Sequence, residues 1–329
     1  MIIALDHMDR TLVNLLQSSF PLSETPFAEL GTQLDLHEEE VLRRTEQLRD
    51  NNIIRILGPV FNSRALGYQS TLIAMRVPDV QIDRAAEIIN QHPGVGHNYQ
   101  RDHHYNLWFT LASRGADELQ RDIRKLSRKV GPEALLELPA TRLFKIRLFF
   151  DLEGNGNHSE DRATVESVQT LPMRLSDADR RVINTVQGQL PLISRPFDEM
   201  AGTIDMTPKD FLSVCRSLFE KGIMRRFGAS IEHQNAGFVA NAMVCWEVPP
   251  ERIDDVGNRM ARYKEVTHCY ERKTSTDWPR YNIFTMIHGN SLAENTVTIQ
   301  QMSQGTGITE YEVLQTIREF KKERVRYEV

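Results

Sequence analysis

Three cysteines, no long apolar run and no excess of positive charge mark this 329-residue chain. Cys215, Cys245 and Cys269 are odd in number and widely spaced, which excludes a disulfide framework or a zinc knuckle and suggests a reducing compartment. No uncharged apolar stretch approaches the roughly 20 residues that cross a bilayer. The N-terminal "MIIALDHMDRTL" has no basic segment followed by a long apolar core, so no secretion signal is expected. A cytoplasmic location follows. With a net charge of −5, nothing draws the chain as a whole to nucleic acid. Also missing are a Gly-rich phosphate loop, a nucleophile elbow and Cys/His metal spacing.

What is present is a repeat. "LDHMDRTLVNLLQSSFPLSETPFAEL" (5–30) returns as "LSDADRRVINTVQGQLPLISRPFDEM" (175–200), and "NNIIRILGPVFNSRALGY" (51–68) as "KGIMRRFGASIEHQNAGF" (221–238). After a slip, "VGHNYQR" (95–101) meets "VTHCYER" (266–272), and "YNLWFT" (105–110) meets "YNIFTM" (281–286). A repeat this long is a duplicated unit rather than a solenoid motif. Between the copies, 152–172 is Gly-, Asn- and acid-rich with weak apolar periodicity, which predicts a linker. The two copies are expected to dock as an internal pseudo-heterodimer; any further homo-oligomer is left open.

Each copy divides again. Three helices followed by a strand pair (53–61 in the first copy) predict a winged helix-turn-helix. Strand-helix-strand-strand-helix-strand, ending in "TRLFKIRLFFDL" (141–152), predicts a ferredoxin-like βαββαβ sheet with helices on one face only. The other face is left to meet a partner or enclose a ligand. The fold class is therefore α+β, a tandem duplication. Helix-turn-helix domains are expected at 1–62 and 173–232, and ferredoxin-like domains at 63–151 and 233–329.

The stretch "GVGHNYQRDHHYNLWFT" (94–110) carries three of the ten histidines. Strand alternation places His97, Tyr99 and Arg101 on one face, and His268, Tyr270 and Arg272 repeat that face in the second copy. A length difference, "DHH" against "KTSTDWPR", locates a hairpin tip holding His103 and His104, with Lys273, Trp278 and Arg280 at the matching place. A histidine in a hairpin is usually just solvated, and an aromatic strand is usually core. Recurrence of the set in both copies weakens that reading, because buried, unpaired charges are costly. An anionic, partly apolar ligand should lie there.

The arrangement resembles the Lrp/AsnC superfamily, a helix-turn-helix followed by an AsnC/RAM-type effector domain. Within it, "GVGHNYQRDHHYNLWFT" and "VTHCYERKTSTDWPRYNIFTMIHG" are similar to the two subunit signatures of the siroheme decarboxylases, here fused. The resemblance implies loss of carbon dioxide from two acetate side chains of siroheme, giving 12,18-didecarboxysiroheme for haem or d-type haem synthesis. It implies no cofactor beyond the iron of the substrate. His97, His103 and Arg101 are the expected catalytic residues, with either His97 or His103 axial to that iron. Tyr99, Tyr105 and Trp108 would pack along the macrocycle; His104, Tyr270 and Trp278 are further expected substrate-binding residues, as is His268, which would play the part of His97 and His103 from the second copy. Arg101, Arg272, Lys273 and Arg280 would clamp carboxylates, with Arg55, Arg225 and Arg226 as further candidates from the wing strands.

Two other functions fit the same fold. A DNA-binding regulator is disfavoured because the recognition helix opens with Glu38-Glu39-Glu40, which would face phosphates. No specific nucleic-acid or membrane partner is expected. A haem or tetrapyrrole sensor that binds without turnover uses the same residues and is separated only by its lack of product.

Overall fold

A computed structural model describes residues 5–146, 171–232, 240–274, 278 and 280–329. The first copy runs α1 (His7–Ser18), α2 (Pro26–Leu34), α3 (Glu38–Asp50), β1 (Ile54–Phe61), β2 (Tyr68–Arg76), α4 (Ile82–Asn90), β3 (Val95–Arg101), β4 (Leu107–Arg114), α5 (Gly115–Val130), β5 (Ala134–Leu138) and β6 (Ala140–Ile146). The second runs α6 (Asp177–Val186), α7 (Pro196–Gly202), α8 (Pro208–Glu220), β7 (Met224–Ile231), β8 (Ala240–Trp246), α9 (Ile253–Ala261), β9 (Val266–Arg272), β10 (Ile283–Gly289), α10 (Leu292–Thr306) and β11 (Tyr311–Lys322). Most of the expected linker (152–170) and the end of the expected strand (147–152) lie outside the described residues. No described helix is long and apolar enough to cross a membrane.

Local signals set the helix ends. Asp6 caps α1 through the N–H of Asp9, and Ser176 and Asp179 form a reciprocal capping box on α6, satisfying donors that the first helical turn leaves open. Pro26 and Pro196 start α2 and α7, where a missing N–H costs nothing.

The wing differs from expectation. Residues 54–61 form one strand, and it pairs antiparallel with β7 of the other copy. The ribbon is thus shared, with Gly58 opposite Gly228. A Cβ on Gly228 would lie 2.7 Å from the Leu16 carbonyl oxygen, so glycine lets α1 of the first copy lie against β7. Both helix-turn-helix modules and the ribbon bury one continuous core.

The sheets interlock as well. Among the described residues, nine strands form one sheet in the order β5-β2-β4-β3-β11-β8-β10-β9-β6. Its two edge strands, β5 and β6, are consecutive in the chain and separated only by Pro139, so the sheet closes on itself. Each copy's last strand crosses over: β6 pairs with β9, and the second half of β11 pairs with β3. Phe144 on β6 packs into the second copy's core against Gly257, where a Cβ would approach its ring to 2.4 Å. Helices cover the outside. The faces left open by the ferredoxin-like pattern meet each other inside, burying Leu72, Trp108, Leu136, Met243, Trp278, Phe284 and Leu314.

Candidate active site

β3 and β9 place their polar faces inward, from opposite copies. On β3, Tyr99 is in register with Trp108, while Asn98 turns outward and donates to Asn90 on α4 at 2.9 Å. The inward row is therefore His97, Tyr99 and Arg101, mirrored by His268, Tyr270 and Arg272 on β9. The mirroring extends to geometry. His97 and Tyr99 rings lie 6.3 Å apart and 14° from parallel, against 6.2 Å and 20° for His268 and Tyr270. The Arg101 guanidinium lies 5.3 Å from the Tyr99 ring, and that of Arg272 lies 4.8 Å from the Tyr270 ring.

The two rows face a common space. The His97 imidazole is close enough to His268 to disfavour its protonation, and Arg101 and Arg272 both flank the Cys245 thiol. His97 has solvent-exposed surface, yet dense surroundings strip its charged form of hydration. Both hold when a side chain lines a recess rather than a convex surface. Burial, with Lys322 and Arg55 nearby, pushes the His97 imidazole down to about 4. Burial, with His97, Arg272 and Lys145, does the same to His268, again to about 4. Both rings are neutral at pH 7.

That neutrality has a measurable sign. Well above pH 6.5 neither folded nor unfolded imidazoles are protonated, so they contribute nothing to pH dependence. As pH falls from about 6.5 to about 4, the unfolded chain takes up protons that the folded recess refuses, and stability declines. Below about 4 the penalty is constant. Urea unfolding at pH 7, 6 and 5 is expected to show a steeper loss for the native chain than for His268→Gln. Identical slopes would mean that His268 titrates normally in the folded chain.

The two banks of the recess carry different charge. On the first-copy side, Lys322 stands opposite His97 and Glu319 opposite Tyr99. Arg55 ion-pairs with Glu232 and with Glu319 (3.2 Å), and Lys322 lies 3.2 Å from Glu232. Two carboxylates are thus held against two cations. On the second-copy side the register partners of His268 and Tyr270 are Ile146 and Leu143. The residue aligned with Glu232 is Asn62, whose side-chain oxygen accepts the backbone N–H of Arg64. Arg272, Arg225 and Arg64 are cations felt by His268 or Tyr270 from this bank, while Lys145 turns toward α9 and donates to the Tyr263 carbonyl at 2.9 Å.

Several expected site residues lie elsewhere. His103 belongs to the opposite end of the sheet. Its Nε2 lies 3.2 Å from Glu312, off the line of a hydrogen bond, and its Nδ1 accepts the N–H of Tyr105. Glu312 and Lys322, the partner of His97, are ten residues apart on β11, about 30 Å of strand. The two histidines cannot serve one acetate. His104 is exposed at the tip beside the His103 ring. Trp108 (1% exposed), Tyr105 (5%) and Trp278 (3%) are core, not macrocycle wall; the ring of Trp278 packs on those of Trp108 and Tyr105. Their apolar area is worth more buried between the copies than left lining a wet recess.

The proposed clamps also change role. Arg101 donates to the Leu314 carbonyl at 3.0 Å and Arg272 to the Leu138 carbonyl at 2.7 Å. Burial pushes both guanidinium groups down to about 10. They brace the strand crossovers and support the tyrosines above them. Lys273 and Arg280 are exposed, and Arg280 lies 4.0 Å from Glu247. Arg226 donates to the Gln17 carbonyl at 2.8 Å, bracing the ribbon against α1. Sequence reasoning missed Arg64, Thr267 and His288. The signal available for the last two was the mismatch of Gly96 with Thr267 and of Ala112 with His288 between the aligned copies.

In the recognition helix, Glu40 is tied to Arg43 and Arg44, and Arg44 also reaches Asp6 and Asp9. Glu38 accepts from Ser194 of the other copy at 3.1 Å. The basic residues that would touch a phosphate backbone are engaged within the protein.

Comparison with known proteins agrees with this architecture. A family model for an AsnC-like ligand binding domain matches residues 65–145 and 235–321, and one for a siroheme decarboxylase NirDL-like HTH domain matches 9–55 and 179–225. The chain is 36% identical to a siroheme decarboxylase of Hydrogenobacter thermophilus, over 96% of this chain and 93% of that protein. The siroheme decarboxylase alpha subunit of Desulfovibrio desulfuricans is 46% identical over 46% of this chain and 87% of its own length. A crystal structure of the siroheme decarboxylase NirDL in co-complex with an iron-uroporphyrin III analogue superposes with a TM-score of 0.74 at 33% identity, covering 98% of this chain and 95% of that one.

Proposed function

The chain belongs to the siroheme decarboxylase family, and from that premise we propose that the recess between β3 and β9 is where siroheme loses two acetate carboxyl groups as carbon dioxide. The carrying observation is the pairing of two His-Tyr-Arg rows, one from each copy, around one space with cations on both banks. An iron tetrapyrrole bearing eight carboxylates needs such a surface: aromatic rings for the macrocycle, cations for its rim, and neutral imidazoles for iron or proton. Arg225 and Arg64 serve the rim; Tyr99 and Tyr270 serve the macrocycle.

The protein's work is then threefold. It orients an acetate, strips water from its carboxylate, and gives a proton to the carbon left behind. The electron pair released by C–C cleavage passes into the macrocycle of the substrate, so no organic cofactor is required. His97, beside the ion-paired bank, faces the iron; His268, beside the cationic bank, supplies the proton. The protein is read as a carbon dioxide-releasing lyase whose fused copies replace separate subunits.

Anaerobic incubation with siroheme, followed by mass analysis of the tetrapyrrole, tests this reading. Two successive losses of carbon dioxide are expected. Binding without mass change would instead make the protein a tetrapyrrole sensor. The engaged arginines of α3 support an enzyme over a regulator.

A further inference from the structure

His268 does not stand alone in the second copy. Its Nδ1 lies 2.9 Å from Thr267 Oγ1, and that hydroxyl lies 3.0 Å from Nδ1 of His288 on β10. Adjacent strand residues normally point to opposite faces. Here the β9–β10 register shifts between Met286 and Ile287, and the irregularity lets the Thr267 hydroxyl turn toward its neighbour. Thr267 is buried and His288 half-buried, so the chain of contacts runs from the recess outward through a water-poor layer. Among the described residues, the first copy shows no such chain. Its residues aligned with Thr267 and His288 are Gly96 and Ala112, and the Thr110 hydroxyl lies 3.5 Å from His97 Nδ1.

We infer that His288, Thr267 and His268 form a proton relay that serves the decarboxylation in this recess, and that only the second copy performs protonation. The inference rests on the siroheme reading above. A hydroxyl holds one proton, so the three groups must be ordered. The Thr267 hydroxyl reaches two acceptors, the Met286 carbonyl at 3.3 Å and the nearer His268 Nδ1 at 2.9 Å. With His288 Nδ1–H donating to Thr267 and the Thr267 O–H donating to His268 Nδ1, the remaining proton of His268 sits on Nε2. When the acetate C–C bond breaks, carbon dioxide leaves and the methylene carbon takes the Nε2 proton. His268 Nδ1 then takes a proton from Thr267, Thr267 takes one from His288, and His288 takes one from solvent. One proton enters and one is consumed, so no charge is stranded in the recess. Proton exchange with water between turnovers restores the starting order. Thr267 and His288 thus act through His268, as positioning residues.

Three substitutions test the relay. Thr267→Val keeps the shape and removes the hydroxyl, Thr267→Ser restores it, and His288→Gln removes the outer imidazole. Spectral titration with siroheme should give similar affinity for all three. Single-turnover decarboxylation is expected to fall about a hundredfold in Thr267→Val and His288→Gln, within the range ascribed to general acid catalysis, with a larger solvent deuterium effect. Thr267→Ser should recover most of the rate. Independently of turnover, ¹⁵N-histidine NMR of the protein without substrate should show His268 protonated on Nε2, and a mixture of tautomers in Thr267→Val. A normal rate in Thr267→Val, or a native His268 protonated on Nδ1, would overturn the relay. Should the native chain release no carbon dioxide from siroheme, the functional reading fails instead, and the NMR result still decides whether the hydrogen-bonded order exists.

Discussion

His268→Ala is expected to bind siroheme and to turn it over between a hundred and ten thousand times more slowly, the usual span for loss of a general acid. The imidazole is neutral and ends the proposed relay, while Tyr270 and the neighbouring cations proposed to hold the substrate stay in place. His103→Ala should behave oppositely. Its ring is wedged between His104 and Trp278, with centroids 3.9 and 5.1 Å away, so its removal should loosen the hairpin tip and leave the rate within a few fold of native. Single-turnover decarboxylation and thermal unfolding on the same two variants separate the effects. A dead His103→Ala with an active His268→Ala would place the chemistry at the other end of the barrel.

Trp108→Ala should destabilise the fold by about 3–5 kcal/mol, the usual cost of emptying a large aromatic site in a core. The ring lies on the inward face of β4, 1% exposed, with its Nε1 donating to the Tyr105 carbonyl at 2.6 Å. It packs edge-on against Trp278 of the second copy, centroids 5.8 Å apart, so the cavity opens where the two copies meet. Urea unfolding should show the loss in full, and siroheme affinity measured well below the transition should change little. A stable variant with weakened siroheme binding would return Trp108 to the macrocycle wall.

Much of this protein was legible in its residues. The duplication, the helix-turn-helix followed by βαββαβ, and the two inward rows follow from repeat matching and from alternation, both properties of the chain read locally. The resemblance of two signature stretches pointed to the substrate. Face assignment needs only the two-residue period of a strand, which is why His97, Tyr99 and Arg101 were grouped before any fold was known.

What covers each face was decided only by tertiary structure. The same period that put Trp108 inward could not say whether a macrocycle or another tryptophan would meet it; apolar burial between the copies settled that. Nor does a short sequence distance imply a shared site. His97 and His103 are six positions apart, but β3 carries one toward the ribbon and the other to the far hairpin, and β11 spans the gap between them. The arginines drew the same lesson. Guanidinium groups buried beside strands that change partners are held by backbone carbonyls, because an unpaired carbonyl inside the sheet is costlier than a clamp left to solvent. Strand exchange, through β6 and β11, brings His268 across from His97. That juxtaposition arises from contacts far apart in sequence, and no local pattern encodes it.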